Sequence, residues 1–240
     1  MNVLDPRRLV GADRRRLVSA CAGLMLALSA ASAAHAGITF TTAQDHVGGK
    51  VFDPGVAPGE HMVLDFNSTT TPADVTRVDG AAGTFGFATG GISGLAARPS
   101  GDTSQYFYVA KGGDEEFFFD RKVESASVYW GSVDSYNYVD VLGGTAAAPV
   151  VLETITGSEV AKLPSGRRHF GQSMRVYIQD TDPDQIIGLA FRSGGNSFEF
   201  DDIAVSAVPE PGAWSMMILG LAGLGAALRA RRERVATSLA

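Results

Sequence analysis

Ser197-Phe198-Glu199-Phe200-Asp201-Asp202-Ile203-Ala204-Val205 alternates apolar and acidic side chains, then breaks its own alternation. In an extended chain, Phe198 and Phe200 share one face, with Glu199 and Asp201 on the other. Ile203 and Val205 have the opposite parity, so a bulge at Asp201-Asp202 is needed to bring them back to the apolar face. Adjacent carboxylates at a bulge need a counter-charge. A Ca²⁺ held by Glu199, Asp201 and Asp202 is one answer; an Arg partner or plain solvent is the other.

Outward from this segment, similar runs recur throughout residues 37–207. They are His61–Phe66, Gly83–Ala88, Gln105–Ala110, Glu116–Asp120, Ser125–Trp130, Tyr138–Leu142, Val150–Thr156, Met174–Gln179 and Ile186–Phe191. Each is rich in β-branched or aromatic residues, and none sustains a helical apolar period over three turns. Turn sequences such as Asp53-Pro54-Gly55, Lys111-Gly112-Gly113 and Gly194-Gly195-Asn196 separate them. In Met174–Gln179 the Met, Val and Ile face inward together, as in a half-buried strand. About ten short strands in one segment predict an all-β fold, an antiparallel two-sheet jelly-roll-like sandwich.

The two ends have a different composition. Residues 1–36 hold Arg7, Arg8, Arg14, Arg15 and Arg16, then an apolar run from Leu17 to Leu28, then Ala34-His35-Ala36. This is the order of a secretory signal, and Ala34 and Ala36 predict signal-peptidase cleavage before Gly37. The arginines leave Sec and twin-arginine export both open. At the other end, Pro209-Glu210-Pro211 predicts an extended, protease-accessible strip, because proline fixes φ and withholds a backbone donor. Trp214 and an apolar stretch over 213–228 follow, closed by Arg229, Arg231, Arg232 and Arg234, with a tail over 235–240. As a helix this stretch is about 24 Å long against a hydrocarbon core of about 30 Å, with Trp and Arg at its borders to extend it. The sandwich is therefore expected between an N-terminal signal helix and a C-terminal transmembrane helix.

Between these ends, residues 37–207 carry 11 basic and 22 acidic residues. Nucleic-acid partners are excluded on charge, since neutralising phosphates takes clustered Lys and Arg. The only cysteine, Cys21, lies in the leader, so no disulfide or thiolate metal site is expected in the exported part.

Pro209-Glu210-Pro211-x-x-Trp214-x-Met216-Met217, the Gly-rich apolar stretch and the terminal arginines resemble a PEP-CTERM sorting signal. The resemblance covers residues 208–234; Ser215 stands where Ala is usual. It implies an exosortase as partner in a Gram-negative bacterium, with Pro-Glu-Pro as the processing motif and the arginines as the stop-transfer element. It also implies an inner-membrane intermediate, followed by release to the cell surface or an exopolysaccharide matrix. Val128-Tyr129-Trp130-Gly131-Ser132-Val133-Asp134-Ser135-Tyr136-Asn137, together with the Ser197–Val205 segment, is similar to a group of exosortase-dependent surface proteins. The later segment also looks like the closing strand of galactose-binding-like jelly rolls and carbohydrate-binding modules, whose acidic pair often helps hold a structural Ca²⁺.

Catalytic signatures are missing from the sequence. His46, His61 and His169 are the exported histidines, and none forms H-E-x-x-H or H-x-H. Gly91-Ile92-Ser93-Gly94 is one residue short of a nucleophile elbow. Asp180-x-Asp182-x-Asp184 lacks the Gly and Glu of a calcium loop and reads as an acidic turn. Tyr106, Tyr108, Tyr129, Trp130, Tyr136 and Tyr138 are read first as core or cross-strand aromatics and second as a sugar-stacking platform. The expectation is a non-catalytic surface or matrix protein, with glycan binding and a structural Ca²⁺ as the reading of its sandwich. Its rivals are a secreted polysaccharide hydrolase working through scattered carboxylates, and a purely structural matrix component.

Overall fold

The computed structural model describes residues 37–163, 165–182, 186–207, 216–225 and 229. The elements are β1 (Ile38–Ala43), β2 (Asp45–Val47), β3 (Lys50–Phe52), β4 (His61–Leu64), β5 (Val75–Val78), β6 (Phe85–Ala88) and β7 (Tyr106–Ala110). They continue with β8 (Asp114–Gly131), β9 (Asn137–Thr145), β10 (Ala148–Thr156), the single helical turn α1 (Gly157–Val160), β11 (Met174–Asp180), β12 (Ile186–Ser193) and β13 (Ser197–Ala207). Thr156 and Glu159 cap α1 reciprocally.

β8 organises the rest. At 18 residues it would reach about 60 Å if straight, far beyond an ordinary strand. Its first third, Asp114–Phe119, pairs with β12 and β5, while Val123–Gly131 pairs with β11 and β13. The bend falls at the exposed Asp120-Arg121-Lys122, where charged side chains interrupt the apolar pattern. A connected eleven-stranded sheet thus becomes two layers. One runs β10-β9-β12-β8-β5; the other runs β1-β11-β8-β13, with β7-β6 and β4 pairing along the far edge of β13. All pairings are antiparallel.

Aromatic rings fill the space between the layers. Phe191 of β12 stacks on Phe200 of β13 with centroids 3.8 Å apart, and Phe117 of β8 meets Phe107 of β7 edge-on at 5.6 Å. Phe66, from the loop after β4, touches Phe87, Phe107, Phe117 and Phe200. Trp130 stacks on Phe198 at 4.4 Å. Phe198, Phe200, Ile203 and Val205 all belong to this core. The bulge that restores their parity lies where the alternation breaks: the register slips between Asp201 and Ala204, and Asp202 has φ 53°.

The all-β antiparallel sandwich expected from the sequence is therefore the fold, with two differences. Glu116–Asp120 and Ser125–Trp130 are parts of one bent strand, and β1, β2, β3 and β5 were not foreseen because each is short and largely exposed or half-buried. Residues 1–36, with Ala34 and Ala36, lie outside the described residues, as do Pro209, Glu210, Pro211, Trp214, Arg231, Arg232 and Arg234. Of the expected span over 213–228, residues 216–225 are helical, with Met216 and Leu219 exposed. Among the described residues no helix is long and apolar enough to cross a membrane.

Phe200→Ala removes the ring shared by both layers and is expected to lower unfolding free energy by about 3–5 kcal/mol in urea titration. A loss below about 1 kcal/mol would mean that the seam tolerates the cavity and does not hold the layers together.

Candidate functional site

The outer face of the second layer carries the site. Along β11, Val176 and Ile178 point into the core, so Arg175, Tyr177 and Gln179 point outward. The loop joining β3 to β4, residues 53–60, crosses this face. Its shape is set locally: Gly55 N–H donates to Asp53 Oδ1 at 2.9 Å, and Glu60 N–H donates to Ala57 O at 3.0 Å. Gly55 and Gly59 have φ 88° and 90°, which side chains with a Cβ rarely adopt.

Two side chains of β11, Arg175 and Tyr177, hold the loop down. Arg175, fully buried, donates from Nε to Gly55 O at 3.1 Å and from Nη1 and Nη2 to Asp202 O at 2.7 and 3.0 Å. Its guanidinium also lies 3.3 Å from Asp53 Oδ1. Tyr177 Oη donates to Gly55 O at 2.7 Å. From the loop side, Glu60 accepts from Ser125 Oγ at 2.8 Å, Ser127 Oγ at 2.6 Å and Ala57 N–H at 3.1 Å. Beside the loop lies a groove of about 550 Å³, lined by Thr39 and Thr41 of β1, Pro58, Gly59 and Glu60 of the loop, Glu124 and Ser125 of β8, Tyr177 and Gln179 of β11, and Ser206 of β13, among others. This volume falls within the usual range for small-ligand sites.

The acidic residues of β13 occupy the same outer face further along the strand. They are not solvated: Glu199 and Asp201 are buried under the loop joining β6 to β7. Glu199 accepts from Ala97 N–H at 3.0 Å and lies against the Ser197 hydroxyl. Asp201 accepts from Asp202 N–H at 2.9 Å and from Ser104 Oγ at 3.2 Å. Burial raises Glu199 to about 7. Burial, then the Asp202 charge and hydrogen bonding with Asp102, raises Asp201 to about 9. Asp202 rises to about 6 through burial, against the opposing pull of Arg175. Burial also raises Asp53, again against Arg175.

Glu199, Asp201 and Asp202 were the residues expected to hold Ca²⁺. They do not converge: Glu199 serves the Ala97 amide, Asp201 lies with Asp102 and Ser104, and Asp202 lies near Arg175. Among the described residues no group of three or more His, Cys, Asp or Glu side chains could hold a metal ion. The cation nearest Asp202 is the Arg175 guanidinium, which pulls that carboxyl down against burial and pairs directly with Asp53. Of the six aromatics weighed as a stacking platform, Tyr106, Tyr129 and Trp130 are buried. Sequence reasoning missed Glu60, Arg175 and Tyr177. The outward parity of Arg175 and Tyr177 was readable from the inward Met174, Val176 and Ile178, but Glu60 left no local trace.

The PEP-CTERM protein-sorting motif matches residues 207–232, so the chain carries this motif; the match does not extend to the sandwich. Among curated proteins none matches significantly. The K2 cleaved adhesin domain of Lys-gingipain is similar over 63% of this chain and all of its own, at 17% identity and TM-score 0.41. A mutant of CBM29-2, a family 29 carbohydrate-binding module, aligns over 63% of this chain and 98% of its own, at 13% identity and TM-score 0.36. The catalytic unit of a GH87 α-1,3-glucanase from Streptomyces thermodiastaticus aligns over 57% of this chain and 26% of its own, at 16% identity and TM-score 0.26.

The raised carboxyls set a pH dependence. Glu199, Asp201 and Asp202 hold protons in the folded state at pH values where the unfolded chain, with ordinary values of 4.5 and 3.8, has released them. Their contribution is complete below the unfolded values and is lost as pH rises through about 6, 7 and 9. Stability in urea is expected to fall from mildly acidic to alkaline pH. Asp201→Asn should abolish the part of that fall above neutrality; an unchanged slope would show that Asp201 is not its source.

Proposed function

We propose that this is an exosortase-sorted surface or matrix protein whose sandwich is a non-catalytic glycan-binding module. For sorting, the observation that carries the reading is the PEP-CTERM motif itself. Pro209-Glu210-Pro211 is the processing strip, Trp214 its border residue, and Arg229, Arg231, Arg232 and Arg234 stop transfer. Signal peptidase cuts after Ala36. The polypeptide then sits in the inner membrane of a Gram-negative cell, with residues 37–208 on the far side, until processing releases it toward the surface or the exopolysaccharide.

The groove beside loop 53–60 carries the binding half of the reading. It offers hydroxyls, an amide, carboxylates and a tyrosine ring, the mixture that meets a sugar's hydroxyl edges and C–H faces. Its walls are fixed before any ligand arrives, which lowers the ordering cost of binding. A hydrolase needs a carboxyl acid open to the substrate and protonated near neutrality. Glu199 and Asp201, which hold protons there, are sealed under the β6–β7 loop instead. Glu115, which burial raises to about 7, is closed to solvent as well, and this arrangement favours binding over turnover. The hydroxyls, amide and ring of the groove can meet a sugar without a metal, so chelation is expected to leave glycan affinity unchanged.

Glu210→Ala and Trp214→Ala are each expected to leave unprocessed protein in the inner-membrane fraction, seen as a larger species on immunoblot. Unchanged release from both variants would mean the tail is only an anchor. For the sandwich, a glycan array should give binding that Tyr177→Ala weakens; reducing sugar released from any bound polysaccharide would favour the hydrolase instead.

A further inference from the structure

We infer that the groove beside Glu60 selects a glycan bearing protonated amines, so that the polymer this protein binds is an amino-sugar polysaccharide. This deepens the glycan-binding reading above and rests on it. Among the described residues the groove is lined by two carboxylates, Glu60 and Glu124, and by no Lys, Arg or His. A uronate or sulfated sugar placed there would meet like charge with no cation to offset it. A neutral sugar would offer hydroxyl donors but no charge to answer the two carboxylates once water was displaced. An ammonium group answers both.

Glu60 is built for this role. Ser125 donates to one of its oxygens, and Ser127 and the Ala57 amide donate to the other. A carboxylate offers about four acceptor sites, so the fixed group keeps one free for a ligand donor. An N–H from an ammonium makes that bond charge-assisted, roughly twice as strong as its neutral counterpart. Tyr177 adds a second attraction. Its hydroxyl is tied to Gly55 O, which fixes the ring that lines the groove, and a tyrosine face attracts cations. Thr39, Thr41 and Gln179 also line the groove; Thr39 and Gln179 are held by long hydrogen bonds of 3.5 and 3.4 Å, so these side chains can turn to sugar hydroxyls, which sets the ligand apart from a simple polyamine.

The test is calorimetric titration of the full chain in detergent, at a pH that keeps amines protonated. The ligands are a glucosamine oligomer, its N-acetylated counterpart, a mannuronate oligomer and tetralysine. The glucosamine oligomer should bind at least about tenfold more tightly than the N-acetylated one, the worth of one charge-assisted hydrogen bond. Mannuronate should not bind. Glu60→Gln, and separately Glu124→Gln, should each bring glucosamine affinity down toward the N-acetylated level, with thermal unfolding confirming that each variant is folded. Glucosamine binding unchanged in both variants, or tetralysine binding as tightly, would overturn the proposal. So would equal affinity for the N-acetylated oligomer, which would still leave the glycan-binding reading intact. No binding to any member of a broad glycan array would overturn both.

Discussion

A guanidinium without water around it must find its acceptors inside the protein, and Arg175 finds them on two other pieces of chain. It stands on β11, takes the Asp202 carbonyl from the bulge in β13, and takes the Gly55 carbonyl and the Asp53 carboxylate from loop 53–60. Removing one partner of such a buried set costs several kcal/mol, of order 3–5, because the remaining groups cannot reach solvent. This requirement makes the loop part of the sheet face. Without it, residues 53–60 would be an ordinary surface connection with its own entropy to lose.

The bulge is what makes the arrangement available. In a regular strand the Asp202 carbonyl would point along the ladder toward a neighbouring strand. The left-handed turn at Asp202 frees that carbonyl for Arg175 and returns Ile203 and Val205 to the core in the same step. One irregularity therefore serves packing on the inner side and the site on the outer side. The bend in β8 has a comparable double effect. It lets one strand belong to both layers, and it sets Ser125 and Ser127 of the second layer beside Glu60.

Much of the fold was legible because sheet patterning is a local property. Phe198 and Phe200 against Ile203 and Val205 announced both a strand and its bulge, and Met174, Val176 and Ile178 announced a face. The continuity of β8 was hidden by the exposed, charged Asp120-Arg121-Lys122, which interrupts the apolar pattern without ending the strand. The need for a cation near Asp201-Asp202 was legible but its identity was not, since Arg175 lies 27 residues away in sequence. The groove was illegible for the same reason: Tyr177 and Gly55 meet across 122 residues. The burial of Glu199 and Asp201 was also missed, because alternation assigns them to the outer face and says nothing of a loop laid over it. At the C-terminus the sorting motif was readable outright, since it is a linear signal recognised by another protein and does not depend on this chain's own packing.

Amide hydrogen exchange on the full chain, wild type against Arg175→Met, tests the pinned loop most directly. The account predicts that the amides of Gly55, Ala57 and Glu60 are protected in the wild type and exchange freely in the variant, while β9 and β12 keep their protection. If these amides exchange at random-coil rates in the wild type, or stay protected when Arg175 is replaced, the loop is not held by the buried guanidinium and the groove has no fixed wall.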